Sequence, residues 1–138
     1  MPQLGQYAVS VVQELTGEDL LEIRAVIQSQ IEAFRRDDAR GAFDLAAPGV
    51  QQAFGTPERF LEAVRFAYRA VYRAAALAFL DSMVMSGDVV QQLRITDRAG
   101  RKWLAYYAMQ RQADGSWRAS GCHVVQQSKT VFASLLAP

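Results

Sequence analysis

At 138 residues, 51% apolar and 21% charged, the chain can bury a core as one domain and is too apolar to be disordered. Fifteen basic against fourteen acidic residues leave a formal charge of +1, and no basic run offers nucleic acid or an anionic membrane an electrostatic footprint. One histidine and one cysteine exclude an intrachain disulfide and a Cys/His zinc site, and no stretch approaches the roughly 20 apolar residues that span a bilayer.

Residues 1–16 read as an N-terminal arm or an extra strand, carried by Tyr7–Val12. That stretch is short and no cation precedes it, so no secretory signal is expected and a cytoplasmic location is. A domain over 17–127 follows. Thr16 can cap a helix over 17–37, with Asp19 placed to complete a capping box. Leu20, Ile23, Ile27, Ile31 and Phe34 form its apolar stripe. Asp38 caps a short second helix that ends at Pro48. Thr56-Pro57-Glu58 opens a third, in which Phe60, Val64, Ala67 and Val71 face inward and Tyr68 and Tyr72 flank them; Phe66 falls among charges.

From about residue 76 the apolar period becomes two, giving strands near 76–85, 89–96, 102–112 and 116–127 joined as a meander. A two-residue Asp114-Gly115 turn would put Trp103 and Trp117 on opposite faces. A three-residue loop with Gly115 left-handed gathers both with Tyr107 and Met109, and burial of one face selects it. Three-residue loops at the other turns give the rows Phe79–Ile95–Trp103–Val125, Asp81–Leu93–Ala105–His123 and Met83–Gln91–Tyr107–Gly121. Asp81, Gln91, Tyr107 and His123 are then the polar groups on the inner face, beside the small residues Ala105 and Gly121. Cys122 falls on the outer face, away from any base. That face is apolar enough, through Leu80, Val84, Val90, Leu104, Tyr106 and Val124, to suggest a homodimer. The tail 128–138 is expected to dock through Val131–Leu136.

Three N-terminal helices packed on a curved four-stranded antiparallel sheet make an α+β domain. Gln30-Ile31, Ala33-Phe34-Arg35, Asp37-Asp38, Ala42-Phe43, Ala46-Ala47-Pro48, Phe54-Gly55-Thr56-Pro57-Glu58-Arg59-Phe60, Val71-Tyr72-Arg73, Gly115, Trp117-Arg118 and Gly121-Cys122 carry a resemblance over about residues 20–125. The chain resembles a bacterial family, domain of unknown function 4864, of the nuclear transport factor 2-like, or SnoaL-like, superfamily. The resemblance implies a cone-shaped, cystatin-like fold with a cavity between sheet and helices, often dimeric, and no particular activity. No catalytic role of the superfamily's ketosteroid isomerases maps onto these positions by motif.

The residues therefore suggest a pocket for an unknown small molecule. Tyr68, Tyr72, Gln91, Trp103, Tyr107, Gly121 and His123 are the candidate ligand-binding groups. His123 and Asp81 are candidates for proton transfer and Tyr107 for polarising a substrate, without metal or cofactor. A core histidine bonded to its neighbours and an aspartate reaching water from an edge strand are the competing structural readings. A non-catalytic dimerisation or protein-interaction domain is the alternative function.

Overall fold

The structure, a computed structural model, describes residues 15–85 and 87–127. The expected arm through Tyr7–Val12 and the docked tail through Val131–Leu136 lie outside the described residues. Helix α1 (Gly17–Arg35) begins with the expected capping box. Thr16 Oγ1 accepts from the Asp19 amide at 3.1 Å, and Asp19 Oδ2 accepts from the Thr16 amide at 2.8 Å. The Thr16 amide is the main cause holding the Asp19 carboxyl below its usual range, and Arg111, 2.7 Å away, adds to it.

Asp38 caps α2 (Ala39–Asp44) by accepting from the Gly41 amide at 3.0 Å. This helix stops at Asp44 rather than Pro48, because Pro48 opens a further helix, α3 (Pro48–Phe54), that the sequence reading missed. A proline is as suited to the first helical turn as to a position after the end, and spacing alone does not separate the two. Thr56 caps α4 (Pro57–Ala67), its hydroxyl accepting from the Arg59 amide at 3.2 Å. The expected continuous third helix breaks at Tyr68, whose backbone leaves the helical region (φ −131°, ψ 55°), and resumes as α5 (Arg69–Tyr72) with Ala70, Val71 and Tyr72 buried. Phe66 is 73% exposed.

Strands β1 (Ala74–Met85), β2 (Asp88–Asp97), β3 (Lys102–Arg111) and β4 (Trp117–Gln126) form one antiparallel sheet in the order β1-β2-β3-β4. The α+β architecture is the expected one, with five helices rather than three among the described residues. The buried stripe of α1, Ile23, Ile27, Ile31 and Phe34, packs with Val71 against Leu93, Ile95 and Met109 of the sheet. Beside it Phe60 gathers Phe34, Phe43 and Phe54 at ring separations of 5.5–5.9 Å. No helix among the described residues is long and apolar enough to cross a membrane.

Two hairpins have the expected three-residue loops. Gly100 (φ 82°) closes Asp97 to Arg101, and Gly115 (φ 89°) closes Gln112 to Ser116. The rows Ile95–Trp103, Leu93–Ala105 and Gln91–Tyr107 follow as read. The first hairpin differs. Met85 pairs with Asp88 around a tighter turn, and an extra residue then enters β1 between Phe79 and Ser82. The two shifts cancel in parity for Leu77 and Phe79, which face inward opposite Ile95 and Leu93. Between them Ser82 replaces Met83 as the partner of Gln91.

Asp97 fastens the second hairpin. Its carboxylate accepts from the Trp103 indole at 3.0 Å, the Arg101 guanidinium and amide at 2.9 Å, and the Ala99 amide at 2.9 Å. Trp103 does most to bring the carboxyl down to about 2, against burial, with Arg101 and Ala99 adding. A depressed carboxylate stabilises the fold fully above its unfolded pKa, near 3.9, and ceases to as pH falls through its folded value. Denaturation midpoints measured in urea should therefore fall between about pH 4 and pH 2, and Asp97→Asn should flatten that part of the profile. An unchanged slope in the variant would contradict this role.

Candidate functional site: an apolar cavity beside a bulge in β4

The last strand starts in the expected register and leaves it. Trp117 and Ala119 face inward opposite Arg111 and Met109, so both tryptophans lie on the inner face. Ser120 then has no partner on β3, and pairing resumes as Ala108–Gly121, Tyr107–Cys122, Tyr106–His123 and Ala105–Val124. One inserted residue reverses the faces of everything beyond it. The bulge lies where Leu45–Ala47 comes alongside β4: the Ala47 amide donates to the Ala119 carbonyl at 2.8 Å and the Ala119 amide to the Leu45 carbonyl at 2.9 Å.

Four expectations are corrected by this residue. Val125 moves from the inner row to the outer face and Val124 from the outer face to the inner. His123 is on the outer face and exposed, its ring 6.4 Å from that of Tyr106. Cys122 is on the inner face beside Tyr107 instead of outside.

Where β4 diverges, a cavity of about 220 Å³ opens between the sheet and the helices. Phe34, Phe60, Val64 and Val71 form its buried apolar wall. Half-buried Val50 and Phe54 of α3, with Ala63 and Tyr68 around the end of α4, rim one side; Ser120, Gly121 and Cys122 rim the other. Gly121 contributes backbone, since a Cβ there would meet Ala108 Cβ at 3.9 Å. Among the described residues, no Asp, Glu, Lys, Arg or His lines the cavity.

The polar groups in the wall are few. Tyr107, 2% exposed, donates its hydroxyl to no acceptor among the described residues. Burial, with Cys122 adding, pushes this phenol well above its ordinary range. Burial likewise raises the Cys122 thiol to about 12. Gln30, also 2% exposed, spends Nε2 on the Ala42 carbonyl at 2.9 Å. Ser120 Oγ donates to the Ala108 carbonyl at 3.1 Å. Tyr68 adds a half-buried hydroxyl at the rim. Chemically, the site can enclose an apolar body and hydrogen-bond a polar group through Tyr107 and Gln30. Neither raised group is a base near neutral pH, and among the described residues the wall holds no carboxylate or imidazole to be one.

Of the expected ligand groups, Tyr68, Tyr107 and Gly121 line the cavity and four do not. Gln91 is fully buried within the sheet, its amide spent on β1. Trp103 is held by Asp97. Tyr72 donates its hydroxyl to Asp37 Oδ1, with the Arg65 and Arg73 guanidinium carbons 5.7 and 4.6 Å from its ring centre. His123 is the fourth. Asp81, the other proton-transfer candidate, sits at the β1 bulge and is exposed, because the inserted residue removes it from the inner row. The structure thus keeps Asp81 and His123 out of the cavity and leaves Tyr107 there alone of the three. Ala105 is buried but does not border the cavity.

Gln30 was missed as a site residue, although the signal existed. It falls three and four places from Ile27 and Phe34, a polar side chain on the buried stripe of α1.

A family model described as "Domain of unknown function (DUF4864)" matches residues 16–132. No curated protein matches the sequence. Among solved structures, a ketosteroid isomerase-like protein from Erwinia carotovora atroseptica SCRI1043 is similar with a TM-score of 0.54 and 16% identity, over 82% of this chain and 99% of that one. A nuclear transport factor 2-like protein of unknown function from Silicibacter pomeroyi DSS-3 is similar with a TM-score of 0.52 and 14% identity, over the same shares. At these identities the likeness is one of fold.

Proposed function

The chain belongs to the DUF4864 family and has the nuclear transport factor 2-like fold, and from that premise we propose that it binds a small molecule in the cavity beside the β4 bulge. The fold serves both binders and enzymes, so the cavity has to carry the reading. One observation does: a half-open apolar hollow of about 220 Å³ is bordered by Tyr107, 2% exposed, whose hydroxyl has no protein acceptor among the described residues. Apolar cavities of about 150 Å³ already hold small ligands. Cofactor-independent proton transfer gains no support, because His123 and Asp81 lie outside the wall.

A thermal-shift screen of a metabolite library should find a compound that raises Tm. Ala63→Phe, placed on the half-buried rim, should abolish the shift while leaving the unliganded Tm within a few degrees. A ligand still bound by that variant would refute this location.

Self-association through the outer sheet face is the second reading. Met83, Met85 and Val125, 41, 54 and 45% exposed, favour it because all three lie on that side. Light scattering should then give twice the protomer mass, and Val125→Lys should halve it; a monomeric wild type would refute this reading.

A further inference from the structure

We infer that the cavity selects an uncharged, mainly apolar molecule bearing one hydroxyl group, held between the Tyr107 hydroxyl and the Gln30 side-chain oxygen. The inference rests on the reading of the cavity as a ligand site and adds the class of ligand. Both residues are 2% exposed and both border the cavity, one from β3 and one from α1. Because Gln30 Nε2 is committed to the Ala42 carbonyl, Oε1 is the amide atom left to accept. Tyr107 can donate. The deep wall therefore presents the Tyr107 hydroxyl as a donor and Gln30 Oε1 as an acceptor whose partners are not found among the described residues; the second Gln30 N–H and the half-buried Tyr68 hydroxyl at the rim are further donors, which leaves Oε1 the group in need of a ligand proton.

A hydroxyl satisfies both at once: its oxygen accepts from Tyr107 and its proton goes to Gln30. A ketone has no proton to give, so either Gln30 Oε1 or the ketone itself stays unpaired. A carboxylate or ammonium would enter a wall in which no described residue is Asp, Glu, Lys, Arg or His, and its desolvation would go uncompensated. The phenol and the thiol of Cys122 are both kept neutral by burial, so neither supplies a counter-charge. The remaining lining, Phe34, Phe60, Val64 and Val71, fits a hydrocarbon body.

Calorimetric titration at pH 7 with naphthalene, 2-naphthol, 2-acetonaphthone and 2-naphthoate separates these terms. The naphthol should bind roughly tenfold more tightly than naphthalene, with the ketone between them and the carboxylate weakest. Tyr107→Phe removes one oxygen and should weaken the naphthol severalfold, its bond to Gln30 remaining, while leaving naphthalene unchanged. Naphthalene binding without a hydroxyl preference, or a preference undiminished by Tyr107→Phe, overturns the inference and leaves the cavity a ligand site. Binding of the carboxylate as tight as the naphthol overturns it too. Failure of all four probes to bind overturns both this inference and the ligand-site reading.

Discussion

Gln91→Leu is expected to lower stability by about 3 kcal/mol, the sum of several hydrogen bonds lost in protein surroundings, without affecting the cavity. Gln91 Nε2 donates to the carbonyls of Leu80, Asp81 and Gln92 at 3.1, 3.3 and 2.8 Å, and Oε1 accepts from Ser82 Oγ at 2.6 Å. These carbonyls include both residues of the β1 bulge, which the β2 backbone cannot satisfy in the ordinary ladder. A leucine fills the space and takes a partner from the Ser82 hydroxyl and from the bulge carbonyls, of which Leu80 keeps only a long bond from Arg24 Nη2 at 3.5 Å; each loss costs about 1 kcal/mol. Urea denaturation measures the loss, and ligand titration serves as the control. A variant within about 1 kcal/mol of wild type would mean that the backbone alone holds the bulge.

Deleting Ser120 should have the larger consequence for the site. With the extra residue gone, Met109–Ala119 is followed at once by Ala108–Gly121, and Tyr107–Cys122 and Tyr106–His123 keep their partners and faces. What is lost is the local divergence of β4 at which the cavity opens, together with the Ser120 hydroxyl bond to the Ala108 carbonyl. Ligand affinity should fall at least about tenfold. The lone thiol gives the control. In the native protein burial pushes it to about 12, so it should react slowly with a disulfide reagent. In the folded deletion variant it still faces in, and labelling should stay slow. Ligand binding that survives the deletion would show that the bulge does not shape the cavity, and labelling faster by about tenfold or more would show that Cys122 had changed face.

Both experiments concern features that local sequence does not encode. Turn chemistry was legible at Gly100 and Gly115, because a left-handed position has few occupants other than glycine and the loop length follows from it. Caps at Thr16, Asp38 and Thr56 were legible for the same reason: a short polar side chain satisfies nearby amides. The rule that buried polar groups mark a site found Tyr107 on β3 and would have found Gln30 had it been applied to α1. The same rule misassigned Gln91, since a buried amide facing a ligand and one tying down a bulge have the same neighbours in sequence. Asp81 and His123 were misplaced together, each by one inserted residue.

The sequence by itself determined the α+β class, the helix starts at Thr16, Asp38 and Thr56, the four strands and the pairing of β2 with β3, because propensity, capping and alternation act over a few residues. Only the tertiary structure decided which side chains meet in the cavity. Ser120 bulges where Leu45–Ala47 comes alongside Ala119, and Leu80–Asp81 where Gln91 can hold their carbonyls. Those partners lie about ten to seventy residues away along the chain. A strand's faces alternate every residue, so one insertion specified from that distance is enough to exchange a histidine for a cysteine in the wall.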